Sequence, residues 1–194
     1  YRDLYRTKHE EFLYRWGIAS LFHDIAYPIE ITEKQMKTYL NFLSNQSNMN
    51  PNDLMLWIGI DSLMEFGCLP PIEPSSEFSE EFRRKYPSFG DVSLADAAEL
   101  LAYKLSTSFG INAHEVRANL IGFPGVMQAN GFIDHGYYSA LIVLRWYHNL
   151  VRESRWNPAY FYFPIVDSAS AILLHNYYWH VLMKPPFELG RLRA

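Results

Sequence analysis

Cysteine is nearly absent from this chain: Cys68 is the single one in 194 residues. One thiol excludes an internal disulfide framework and a cysteine-based zinc site, and it fits a reducing compartment. Long apolar runs are missing too, none reaching the roughly 18 residues that a membrane span requires. No signal-peptide pattern opens the chain. There is no excess of charge of one sign. Seventeen Lys and Arg against 21 Asp and Glu leave a net charge of -4, which gives no global electrostatic case for nucleic acid. The locally basic stretch from Lys184 to Arg193 is too short to change that. Internal repeats and low-complexity tracts are also lacking. The expectation is a cytoplasmic protein without a membrane span.

What is present points to a folded domain. Hydrophobic residues make up 49% and charged residues 20%, a globular balance. The length suits one domain over 1–194 with a sizeable core. The 14 Tyr and 5 Trp need partners for their polar tips wherever they are buried. Tyr1-Arg2-Asp3-Leu4-Tyr5 reads as the inside of a helix, and Arg191-Leu192-Arg193-Ala194 carries no helix-ending signal. The expectation is a piece of a longer polypeptide.

Periodicity predicts an all-α fold. A helix is expected over 8–27, with Phe12, Trp16, Ala19 and His23 on its apolar stripe, Leu13, Ile18 and Leu21 widening it, and Pro28 ending it. Thr32 with Gln35 resembles a capping box for a helix over 33–45. Asp53 to Phe66 reads as helix with some strand character at Trp57-Ile58-Gly59-Ile60. Residues 67–91, rich in Pro and Gly, read as one long loop or insertion, with room for a short helix at 78–85. Ser93 caps a helix of about 94–108, and Asn112 caps a short one through Leu120. Gly122 to Gly131 reads as a loop. A strong helix follows from Asp134 to Glu153, with Ala140, Leu141, Leu144, Tyr147 and His148 at helical spacing. Pro158 to Pro164 separates it from a last helix of about 165–182, which Pro185-Pro186 ends.

Three places pair a candidate metal ligand with small neighbours. In Ala19-Ser20-Leu21-Phe22-His23-Asp24 the two ligands are adjacent, so on a helix they diverge by about 100°. Such a pair grips one ion only at a junction with other helices. In Asp134-His135-Gly136-Tyr137-Tyr138-Ser139-Ala140, His135 lies in the first turn of a helix. In Ser168-Ala169-Ser170-Ala171-Ile172-Leu173-Leu174-His175, the histidine follows a stripe of small residues. Imidazoles with a carboxylate suit a divalent ion such as Mn, Fe, Co, Ni or Zn, with Mg a further candidate. Such an ion activates water and polarises a phosphoryl oxygen. A single histidine on an apolar helix face is more often a hydrogen-bonded core residue than a ligand. Arg145 and Arg117 are candidates for meeting a phosphate, although an amphipathic helix places arginines outside in any case. His9, His114, His148 and His180 have no comparable setting, and Tyr160-Phe161-Tyr162-Phe163 reads as core packing.

Leu21-Phe22-His23-Asp24-Ile25-Ala26-Tyr27-Pro28 resembles the motif that names the HD superfamily of metal-dependent phosphohydrolases. Asp134-His135-Gly136 with Ser139-Ala140 resembles that family's later His-(Glu or Gly)-x-x-Ser-Ala element, and Ala171-Ile172 with His175-Asn176 its Ala-Ile-x-x-His element. The resemblance implies a helical bundle around a metal site, with His23 and Asp24 as ligands. His135 and His175 would then be ligands of a second ion or phosphate-facing groups, and Asp24 would be central to catalysis. It implies hydrolysis of a phosphate ester or anhydride, with a small-molecule nucleotide as the expected partner and Arg145 as a candidate substrate contact. Three departures stand out. Ala26 replaces the usual Gly, Tyr27-Pro28 replaces the usual Lys, and the family's first His and last Asp have no counterparts in this chain. A degenerate HD module that binds a nucleotide or partner without hydrolysis is the alternative. A helical interaction domain with structural histidines is the third reading. The loops at 67–91 and 121–133, where specificity would lie, match nothing that names a substrate.

Overall fold

A computed structural model of the chain describes residues 7–47, 80, 84, 97–154 and 158–175. Six helices organise them: α1 (Lys8–Phe22), α2 (Tyr27–Ser47), α3 (Ala97–Phe109), α4 (Ala113–Asn130), α5 (His135–Ser154) and α6 (Pro158–Leu174). Among the described residues there is no strand, and the fold is all-α as the periodicity predicts. Among the described residues no helix is long and apolar enough to cross a membrane. The expected helix at 53–66 and nearly all of the expected loop at 67–91 lie outside the described residues. Glu80 and Arg84, within the short helix foreseen at 78–85, are helical.

α6 is the hub. It packs most heavily on α5 and also touches α1 and α3, while α3 packs on α4 and α2 on α5. A helix with neighbours on several sides must be apolar nearly all round. Ile165, Val166, Ala169, Ile172 and Leu173 of α6 are accordingly buried. Ser168, Ser170 and Asp167 are tied down. Ser168 Oγ donates to the carbonyls of Pro164 (2.7 Å) and of Arg15 in α1 (3.1 Å). Asp167 takes ion pairs from Arg15 of α1 and from Lys104 of α3, the latter at 2.6 Å, so one carboxylate joins three helices. The first half of α5, from Gly136 to Leu141, is buried residue after residue, because α2, α4 and α6 surround it.

The helix boundaries correct several expectations. The first helix begins at Lys8 behind a Thr7–Glu10 capping box but stops at Phe22. Residues 23–26 form a turn, and α2 starts at Tyr27, so Pro28 sits in a first helical turn rather than ending a helix. There its missing N–H costs nothing. Thr32 and Gln35 therefore lie inside α2 and cap nothing. Asn112 does cap α4, its Oδ1 accepting from His114 N at 2.9 Å. That helix runs on to Asn130 through Gly122, Pro124 and Gly125, where a loop was expected. Pro124 cannot donate to the carbonyl of Leu120, but the Tyr137 hydroxyl of α5 donates there instead, at 3.0 Å. Both α3 and α4 end on a glycine with positive φ, Gly110 at 69° and Gly131 at 65°. α6 starts at Pro158, not at 165, and carries Pro164 within it. It ends at Leu174, with His175 in a bend rather than in the expected helix to 182, of which residues 176–182 fall outside the described residues.

The apolar stripe expected on α1 is corrected in part. Phe12 and Trp16 are 60% and 59% exposed, and Leu21 74%. Of the expected stripe, Ile18 is buried and Ala19 packs against the core, and α1 meets α6 through the Arg15 side. Of the α5 positions singled out by spacing, Ala140, Leu141, Leu144 and His148 are buried, and Tyr147 packs against that core.

Candidate metal centre

Three chain segments deliver the site. Past Phe22 the backbone turns, closed by Ile25 N to Phe22 O (3.2 Å) and Tyr27 N to Asp24 O (2.9 Å). His23 and Asp24 thus sit between α1 and α2, not on a helix face. His135 is the first residue of α5, and His175 follows directly on the last residue of α6. The turn is fixed from α5: Ser139 Oγ, fully buried, accepts from Ala26 N at 3.0 Å. Asp134 is the N-cap of α5, its Oδ1 accepting from Tyr137 N at 2.9 Å, so this acid is engaged by the backbone.

The four side chains singled out in the sequence meet around the Asp24 carboxylate. His23 Nε2 lies 3.1 Å from Asp24 Oδ2, while His135 Nε2 and His175 Nε2 lie 3.2 and 3.6 Å from Oδ1. The His175 ring stands 5.1 Å from that of His23 and 5.3 Å from that of His135, centre to centre. One ligand atom from each of His23, Asp24 and His175 falls within 4.8 Å of the others, a spread that one cation can bridge. His135 lies outside that group of three and joins it through Asp24. Arg145 is not brought to the cluster. It lies ten residues beyond His135 on α5, about 15 Å of helix rise away, with its charge beside His148.

Each imidazole has its Nδ1 committed elsewhere. His23 Nδ1 meets the Ser20 carbonyl at 2.8 Å, and His175 Nδ1 the Ile172 carbonyl at 2.5 Å. A carbonyl oxygen only accepts, so both Nδ1 atoms are donors. His135 Nδ1 meets Glu30 Oε2 at 2.5 Å. Burial pushes the Glu30 carboxyl up, but hydrogen bonds and charge from Lys34 and His135 more than offset this and hold it below its ordinary value. Glu30 is therefore an ionised acceptor and His135 Nδ1 a donor. With Nδ1 the donor in each ring, every Nε2 faces the Asp24 carboxylate, to which it donates when it carries a proton; without that proton it offers a lone pair that a cation between ring and carboxylate can take. The Asp24 side chain is 55% exposed, so a solute can reach that point.

Two contributing residues escaped the sequence reading of the site. Glu30 reads in sequence as one more helix acid. Gly136 was quoted in a motif, yet its use is steric. A Cβ there would lie 3.1 Å from each of Asp134 Oδ1, His175 Cε1 and the Ile172 carbonyl oxygen, so the glycine lets the end of α6 and the His175 ring close onto the start of α5. Tyr27 sets its ring edge-on to His135 with centroids 5.1 Å apart. No family model, curated protein or solved structure matches this chain.

Proposed function

We propose that this chain is the core of an HD-type metal-dependent phosphohydrolase, acting on a phosphate ester or anhydride of a nucleotide-like small molecule. The observation that carries the reading is the convergence of three Nε2 atoms on one accessible carboxylate, with every Nδ1 occupied by an oxygen acceptor. His23, Asp24 and His175 would hold the ion, with His135 as the fourth ligand. Nitrogen and oxygen donors of this kind suit Mn, Fe, Co, Ni or Zn. A divalent ion held there supplies a bound water acidic enough to act as a nucleophile near neutral pH. The protein's own part is to fix three rings in one tautomer, present the Asp24 oxygens to solvent, and keep the turn at 23–26 pinned through Ser139. The resemblance at Leu21–Pro28, Asp134–Ala140 and Ala171–Asn176 supports the choice of phosphoryl chemistry over other uses of such an ion.

The experiment is turnover by the metal-loaded protein across nucleotides, cyclic nucleotides and simple phosphoesters. Asp24→Ala is expected to abolish metal binding and turnover while leaving the helical circular-dichroism signal intact. Turnover undiminished in Asp24→Ala contradicts the mechanism. Metal binding without turnover of any phosphoester favours a binding or signalling module.

A further inference from the structure

His23 and His175 both lie at C-terminal ends of helices. Carbonyls of a helix's last turn lack intrahelical donors, and each of these rings borrows the carbonyl three residues before it. His135 stands at the opposite kind of end. The first turn of α5 offers spare N–H groups and no spare carbonyl, so an acceptor for His135 Nδ1 has to come from another element. α2 supplies it. Glu30, flanked by Ile29 and Ile31, has a side chain only 4% exposed, and its Oε2 meets His135 Nδ1 at 2.5 Å. Lys34, its other partner at 2.5 Å, is itself 57% exposed and would pair as readily with an acid at the surface. The ion pair with Lys34 therefore does not account for burying Glu30, whereas contact with His135 requires it.

We propose that Glu30 is a positioning residue of the cation site, its buried carboxylate fixing the tautomer and ring orientation of His135 so that Nε2 faces Asp24. The proposal rests on the metal reading above. A carboxylate behind a ligand imidazole fixes the ring and makes it more basic, and losing such a partner typically weakens metal binding about 10- to 100-fold.

The test is titration of the purified protein with Co²⁺, followed by visible absorption, whose ligand-field bands report the nitrogen donors. Glu30→Leu is expected to lose about 10- to 100-fold in Co²⁺ affinity and to change the band pattern. Glu30→Gln keeps an oxygen acceptor in the same volume and should recover part of the loss. It also carries the test if the leucine variant does not fold. In a His135→Ala background, Glu30→Gln should have no further effect. Wild-type affinity and bands in Glu30→Gln and in any folded Glu30→Leu overturn the proposal. So do equal losses from Glu30→Gln with and without His135, which would make Glu30 merely structural. Absence of Co²⁺ binding by the wild-type protein overturns the metal reading and this proposal together; binding that ignores Glu30 overturns this proposal alone.

Discussion

Gly136 sits where the start of α5 and the end of α6 meet, and two of the three atoms that a Cβ would crowd cannot easily yield. The Ile172 carbonyl is backbone, and the Asp134 carboxylate is held by the Tyr137 N–H. Gly136→Ala should therefore cost about 1–3 kcal/mol, the usual range for overpacking, and displace the His175 ring. Denaturant unfolding and Co²⁺ affinity should both fall; a variant matching the wild type in both would show that the junction is loose. His148 offers a second test. Burial pushes its imidazole pKa down from the ordinary 6.5, and the charges of Arg152 and Arg145 push the same way. The unfolded chain then takes up a proton that the folded ring resists. The stabilisation is complete above about 6.5 and is lost as pH falls from there towards the lower folded value. Denaturation midpoints of the wild type should drop more between pH 7 and 5.5 than those of His148→Leu, and parallel profiles would contradict the assignment. His23, Asp24, His135 and His175 were legible because such residues beside small neighbours are conspicuous. Glu30 was not, since Ile29-Glu30-Ile31 with Lys34 one turn on reads as a surface ion pair. In the fold it is buried and meets His135 of α5.

At the level of elements, proline decides what could be read. Pro124 and Pro164 look like helix breaks, yet both lie inside helices. The sequence shows the lost N–H at Pro124 but not its replacement, the Tyr137 hydroxyl, because that donor belongs to a different helix. Tyr137→Phe should leave the Leu120 carbonyl, on a residue 1% exposed, without that bond and cost about 1–3 kcal/mol. Pro124→Ala restores the intrahelical donor, so the same tyrosine change should cost clearly less in that background. A double-mutant cycle by urea unfolding measures the difference, and additive effects would refute the compensation. The face of α1 was misread in part, at Phe12, Trp16 and Leu21, for a related reason. Its periodicity describes an apolar stripe, but the side turned inward is set by Ser168 of α6 reaching the Arg15 carbonyl and by Asp167 pairing with the Arg15 guanidinium.

For the molecule as a whole, the all-α class follows from composition and helical spacing, and α6 is central because it is the most uniformly apolar of the described helices. The site lies where the α1–α2 turn, the start of α5 and the end of α6 converge. An ion held there ties together segments that no local sequence joins. Binding should accordingly stabilise the fold, by about 2.7 kcal/mol at a metal concentration a hundred times Kd. In a domain of this size that raises Tm by roughly 5–10 °C. The central claim is tested most directly by equilibrium dialysis of the chelator-stripped protein against Co²⁺ or Mn²⁺, with metal counted per chain. The account predicts at least one ion bound per chain, lost in Asp24→Ala and weakened in His23→Ala and His175→Ala. A wild-type protein that retains no more metal than Asp24→Ala would contradict it.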